Sequence, residues 1–148
     1  MKKISCMILT LLIGFSSISF AAGNDKVDNA TLVSFWHDFQ NATNVSWAQT
    51  STCYKATFEL DGQTIYAYYG KNQAGLVAVT RFILSSQLPL NLQQELRSKL
   101  KDGWIADLFE VASGGETDYY ATIENSATKT IFKSSGFSNW SQISKASK

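Results

Sequence analysis

The segment from Tyr54 to Tyr69 constrains the fold more than any other part of the chain. Tyr54, Ala56, Phe58 and Leu60 alternate with Lys55, Thr57 and Glu59, the period of a strand with one buried face. Asp61-Gly62 follows, a dipeptide suited to the backbone of a two-residue hairpin turn, and residues 64–69 return as the partner strand. Fixing the turn fixes the register: Leu60 falls opposite Gln63, Phe58 opposite Ile65, Ala56 opposite Ala67 and Tyr54 opposite Tyr69. These residues form the expected core face, and the small Ala56 and Ala67 leave room on it for a helix. Lys55, Thr57, Glu59, Thr64, Tyr66 and Tyr68 are assigned to the opposite face.

The helix expected above that core begins after Asp28 or Asn29, either of which can cap it. Leu32, Phe35, Trp36 and Phe39 then recur at helical spacing. Residues 41–44 break the pattern, and Val45 and Trp47 alternate with Ser46 as a short strand. Residues 76–83 read as a further strand. Ser85 or Ser86 is expected to cap a second helix around Pro89, the one proline. Leu88, Leu92, Leu96 and Leu100 give it an apolar stripe, Glu95 and Lys99 a favourable i,i+4 pair, and Gly103 an end. Residues 104–111, 119–124 and 130–133 follow as strands, with Trp140 and Ile143 in a last one.

A helix followed by strands thus occurs twice. Tyr54-Lys55-Ala56-Thr57-Phe58-Glu59 aligns with Tyr119-Tyr120-Ala121-Thr122-Ile123-Glu124. Allowing one inserted residue, Ile65-Tyr66 aligns with Ile131-Phe132 and Tyr69-Gly70 with Ser135-Gly136. The expectation is one α+β domain over residues 29–148, a degenerate tandem repeat of about residues 29–84 and 85–148. Its helices pack on one face of an antiparallel sheet, and the other face stays open to water, as such sheets allow. Carrying the faces across the repeat puts Tyr120, Thr122, Glu124 and Phe132 on the open side.

What precedes the domain reads as an export signal. Lys2 and Lys3 are followed by a short apolar core over residues 6–13 and by small residues ending at Ala21, the order of a cleavable signal peptide over residues 1–21. Cys6 precedes the apolar core, whereas a lipid-bearing cysteine follows it. Residues 22–28 form a short polar leader. A periplasmic or secreted location follows, with no membrane span once the signal is removed. The chain is 148 residues long with a formal net charge of +1, which argues against a nucleic-acid binder. After cleavage only Cys53 remains of the two cysteines, so no internal disulfide can form.

Taken in order, Val45-Ser46-Trp47, Tyr54-Lys55-Ala56-Thr57-Phe58, Ala67-Tyr68-Tyr69 and Leu88-Pro89 before a helix resemble the PepSY-like, β-lactamase-inhibitor-like secreted proteins of Bacteroidetes-type bacteria. The resemblance spans nearly all of residues 22–148. It implies a tandem helix-plus-sheet fold like that of β-lactamase inhibitory protein, and a periplasmic or secreted location. The chain lacks that inhibitor's paired cysteines, and its inhibitory-loop residues have no counterpart here. The resemblance therefore carries fold and location rather than an activity.

No catalytic or cofactor motif stands out, and no cofactor is expected. His37, the one histidine, reads as an exposed helix residue, and a single histidine with no CxxC or HExxH pattern makes no zinc site. Cys53 has no base or cation near it in sequence to activate a thiolate. No GxSxG or SxxK pattern occurs, and Gly114-Gly115 reads as a turn rather than a phosphate cradle. Glu110, Glu116 and Asp118 surround one hairpin. The Asn-x-Ser/Thr matches at Asn29, Asn41, Asn44 and Asn139 read as polar loops. Tyr66, Tyr68, Tyr120 and Phe132 on the open face instead give the composition of a protein-recognition patch. The leading reading is thus a non-enzymatic exported module that binds a protein or peptide, an inhibitor of an exported enzyme being one version. The alternatives are a hydrolase or other enzyme built from Cys53, His37 or the scattered carboxylates, and a small-ligand carrier with a pocket between helices and sheet.

Overall fold

The computed structural model describes residues 27–72 and 74–148. The expected signal peptide, residues 1–21, and residues 22–26 of the leader lie outside the described residues. In chain order the elements are α1 (Asn29–Asp38), β1 (Thr43–Gln49), β2 (Cys53–Leu60), β3 (Gln63–Gly70), β4 (Leu76–Phe82), α2 (Leu90–Leu100), β5 (Trp104–Ser113), β6 (Glu116–Glu124), β7 (Thr128–Ser135) and β8 (Ser141–Ser147). All eight strands form one sheet whose spatial order is the chain order. Every neighbouring pair is antiparallel.

The β2–β3 hairpin has the register dictated by its turn: Tyr54 opposite Tyr69, Ala56 opposite Ala67, Phe58 opposite Ile65 and Leu60 opposite Gln63. Asp61 and Gly62 have φ of 51° and 74°, the two left-handed positions of a turn whose twist matches that of the strands.

Three clusters of buried side chains divide the sheet. The first gathers Phe35 of α1 with Ala56, Phe58, Ile65, Ala67 and Tyr69, and is flanked by Phe39, Val45 and Trp47. Phe35 is its hub, with ring centroids 5.1 Å from Phe58 and 5.2 Å from Trp47, both edge-on. Asp28 caps α1 by accepting from the Thr31 backbone N–H at 2.8 Å, and Tyr69 ties the helix end to the sheet by donating its hydroxyl to Asp38 at 3.1 Å. The second cluster gathers Leu88, Leu92 and Leu96 with Leu108, Ala121, Ile123 and Trp140. There the Trp140 indole N–H donates to the Leu92 carbonyl at 3.0 Å, and its backbone N–H donates to the Glu95 carboxylate at 3.1 Å. The third cluster consists of strand residues alone: Tyr68, Ala78, Val111 and Tyr120, with Cys53, Tyr66 and Phe109 against them.

Four local expectations need correction. Trp36 is 48% exposed, and Thr31 and Phe35, four residues apart, are the buried contacts of α1. Neither Ser85 nor Ser86 caps α2; they lie in a 3-10 turn before Pro89, which occupies the cap position with no side-chain bond. Gly103 does not end α2 by a left-handed backbone, since Lys101 takes that conformation with φ of 46°. Gly103 is small because a Cβ there would lie 2.7 Å from the Glu124 carbonyl oxygen.

The fourth correction concerns Phe132. It sits opposite Ala121 and packs against the second cluster, with the Lys99 ammonium of α2 5.2 Å from its ring centre. It is therefore on the helix-bearing face, not the open one. Glu59 pairs with Thr64 and Glu124 pairs with Lys129, so the two hairpins align in register with no inserted residue. The one-residue insertion in the sequence alignment moved every β7 side chain to the wrong face.

Candidate functional site

On the face of the third cluster, one side chain from each of six adjacent strands forms a line across the sheet. In order these are Lys55 of β2, Tyr66 of β3, Phe82 of β4, Phe109 of β5, Tyr120 of β6 and Lys133 of β7. The Lys55 ammonium lies 4.4 Å from the Tyr66 ring centre. Tyr66 meets Phe82 edge-on at 6.3 Å, and Phe82 meets Phe109 edge-on at 6.0 Å. Phe109 stacks on Tyr120 at 5.2 Å with planes 12° apart, and the Lys133 ammonium lies 5.5 Å from the Tyr120 ring centre. Register builds most of this ladder: Phe82, Phe109, Tyr120 and Lys133 are successive direct cross-strand partners. Such pairs stabilise the sheet as well as shape its surface.

Exposure varies along the line. Tyr68 and Tyr120 are only 4% and 2% exposed, so the expectation of an exposed tyrosine cluster fails for both. Their neighbours within the sheet, among them Ala78, Val111, Tyr66 and Phe109, close over them. Tyr66 and Phe109 are half-buried, and Phe82 is 47% exposed. An open depression of about 440 Å³ at the Phe82 end is lined by Gln63, Thr64, Tyr66, Phe82, Leu84 and Gln87.

The electrostatics follow the burial. Desolvation raises the Tyr68 phenol well above its ordinary range, reinforced by the nearby Cys53 and Tyr66. Burial also raises Tyr120, against the opposing influence of Lys133. Desolvation lowers the Lys55 ammonium. Burial would lower Lys133 too, but Asp118, 2.8 Å away, and Tyr120 outweigh it and hold its pKa above the usual value.

The residues considered for catalysis are not brought together. Cys53 packs on the ladder face, with its sulfur 3.2 Å from the Thr50 hydroxyl. His37 is exposed on α1, with Nδ1 3.2 Å from Asp38, and α1 packs on the opposite face of the sheet. Glu110 pairs with Arg81, and Asp118 with Lys133. Glu116 and Asp118 share an open depression of about 500 Å³ with Tyr119 and Phe137. Among the described residues no group of three or more His, Cys, Asp or Glu side chains is placed to hold a metal ion. No helix among them is long and apolar enough to cross a membrane.

Phe82 and Phe109 escaped the sequence reading. They are direct partners on β4 and β5, but α2 lies between those strands, so no turn fixes their register. The available signal was alternation within residues 76–83, which places Phe82 on the same face as Ala78 and Thr80.

No known protein-family profile matches the chain, and no curated protein matches it. Solved structures do. A BLIP-like protein from Bacteroides fragilis is 18% identical, with a TM-score of 0.70, covering 84% of this chain and 89% of that one. A DUF2874 family protein from Bacteroides uniformis is 14% identical, with a TM-score of 0.70, covering 82% of this chain and 90% of that one. A candidate periplasmic protein from Bacteroides eggerthii is 11% identical, with a TM-score of 0.72, covering 82% and 89%. At these identities the similarity establishes a shared fold: the chain has the α+β, antiparallel-sheet architecture of BLIP-like proteins.

Proposed function

We propose that this protein is an exported, non-enzymatic binding module whose ladder-bearing sheet face meets a protein partner, an inhibitor or regulator of a periplasmic or secreted protein being the leading form. The observation that carries this reading is the ladder itself. Its aromatic side chains are large and have few rotatable bonds, and their neighbours already hold them, so little entropy remains to be lost on binding. Tyr66 and Phe82 are its accessible members. Tyr68 and Tyr120 act beneath them as support, and Phe132 has no part in the surface. The fold shared with a BLIP-like protein and with a candidate periplasmic protein supports both the role and the location. We read the twice-repeated order of a helix and four strands as two degenerate copies, with a helix of each on the same face, following removal of residues 1–21 and a leader over residues 22–28.

The test is capture of a partner from a periplasmic fraction with the purified protein, its identification by mass spectrometry, and measurement of the isolated pair. Tyr66→Ala with Phe82→Ala should weaken binding by roughly thirtyfold or more, the loss expected of a central hot spot. The fold should persist in circular dichroism. Unchanged affinity in a folded double variant would remove this face as the binding site. Mass spectrometry of the exported protein should find Ala22 at its start; retention of Met1 would remove the export reading.

A further inference from the structure

The two edges of the sheet are held in different ways. β1, at one edge, sets Val45 and Trp47 against the first cluster. β8, at the other, has all seven of its residues exposed, and among the described residues none of them joins a buried cluster. Its pairing with β7 is also interrupted. Ile131 faces Ser144 and Phe132 faces Gln142, which leaves Ile143 as an extra residue in β8. Along its length, β8 is therefore attached by backbone pairing rather than by packing.

Both ends of that strand are fastened. Before it, Trp140 is 5% exposed within the second cluster, bonded to the Leu92 carbonyl and the Glu95 carboxylate. After it, the Lys148 backbone N–H donates to the Ala127 carbonyl at 2.9 Å. The Lys148 ammonium lies 2.7 Å from the Glu124 carboxylate and 5.1 Å from the Trp104 ring centre. Lys129 approaches the other Glu124 oxygen at 3.4 Å. Trp104, Glu124 and Lys129 are successive cross-strand partners on β5, β6 and β7. Lys148 thus reaches past β7 to the two strands beyond it. The hydrogen bond from Lys148 outweighs desolvation and, with Lys129, holds the Glu124 carboxyl below its ordinary value. The two fastenings differ in kind. Trp140 is enclosed, whereas the Lys148 and Lys129 side chains are 39% and 46% exposed, and exposed ion pairs are weakened by salt.

We propose that β8 is a strap that opens from its Lys148 end while the rest of the sheet stays folded, with Glu124 as the clasp that holds it closed. A strand whose side chains bury almost nothing loses little on leaving the sheet, so it opens at a lower free energy than the strands packed around Phe35 and Phe58. Trp140 stays seated in its cluster and limits the opening to the residues after it. Release leaves the backbone edge of β7 unpaired, and an unpaired edge is a template for a strand of another molecule. The clasp therefore sets how often the sheet offers such an edge. This inference does not depend on the ladder or on what binds there.

The test is residue-resolved amide hydrogen exchange of the purified protein at low and high salt. The β8 amides bonded to β7 should exchange faster than those of the β2–β3 hairpin, fastest beside Lys148 and slowest beside Trp140. Glu124→Gln should speed β8 exchange about threefold, the scale of an exposed ion pair, and leave the hairpin unchanged. High salt should speed β8 exchange in the parent and do much less in that variant. Lys148→Ala should act in the same direction. Combined, the two substitutions should give much less than the product of their separate effects, because both break one contact. Glu59→Gln, at the matching carboxylate of the first hairpin, should leave β8 as in the parent. Lys148→Ala and the salt series serve if Glu124→Gln does not fold. The proposal is overturned by β8 amides that exchange only together with the β2–β3 hairpin, or by β8 exchange that salt does not change. It is also overturned by a folded Glu124→Gln or Lys148→Ala variant whose β8 exchanges no faster than that of Glu59→Gln.

Discussion

The two faces of the sheet bury aromatic side chains by different means. On one, α1 drives Phe35 edge-on between Trp47 and Phe58, and Phe35, Phe58 and Tyr69 fall to 0–1% exposure. On the other, no helix among the described residues contributes to the cluster, yet Tyr68 and Tyr120 reach 4% and 2% because strand neighbours close over them. A sheet face on which no described helix packs can thus be core at its centre and surface at its rim. The centre gives the rim rigid support, and the rim, Tyr66 and Phe82, remains able to touch another molecule.

The contrast can be broken most directly at Phe58. Phe58→Ala should cost about 3–5 kcal/mol in denaturant unfolding, the loss seen for deletion of a fully enclosed aromatic. Tyr120→Ala should cost less, about 2–3 kcal/mol, because its neighbours have solvent on one side and can relax into the space. Equal losses at the two positions would mean that the helix adds nothing to burial. A loss at Tyr120 below about 0.5 kcal/mol, a surface value, would mean that the ladder face has no core.

A third measurement sharpens the comparison through pH. Burial raises the Tyr68 phenol above its ordinary value of 10.0. The folded state therefore holds that proton more tightly than the unfolded chain. The resulting stability is fully present below pH 10 and is lost as pH rises through the alkaline range. Tyr68→Phe should flatten the fall in unfolding free energy between neutral and alkaline pH. An unchanged slope would show that Tyr68 titrates as freely as a surface tyrosine. The smallest effect is expected at Glu59, which is exposed between Phe58 and Leu60 and accepts from the Asn44 side chain. Glu59→Ala should change stability by under about 0.5 kcal/mol, and a loss approaching that of Phe58→Ala would reverse the face assignment of β2.

How much could be read in advance depended on whether a short turn joined the partners. Asp61-Gly62 fixed the β2–β3 pairing residue by residue, because a two-residue loop permits one register. The loop from β6 to β7 carries no such dipeptide. An apparent match of Ile65 to Ile131 suggested an insertion, and the slip sent Phe132 to the wrong face. Helical spacing located Phe35, Leu92 and Leu96 but overstated Trp36, since a stripe of four apolar residues does not say which of them meets a narrow contact.

By itself, then, the amino-acid sequence determined the element types, the first hairpin and the core residues flanking it. These follow from local periodicity and turn chemistry, which act over a few residues. Only the tertiary structure decided that Phe82 and Phe109 complete the ladder and that Tyr68 and Tyr120 lie beneath its surface. Those outcomes rest on the β4–β5 pairing across an intervening helix and on the packing of Tyr68 in one cluster with Val111 and Tyr120, about fifty residues away. Chain connectivity leaves such geometry open until the whole sheet has closed.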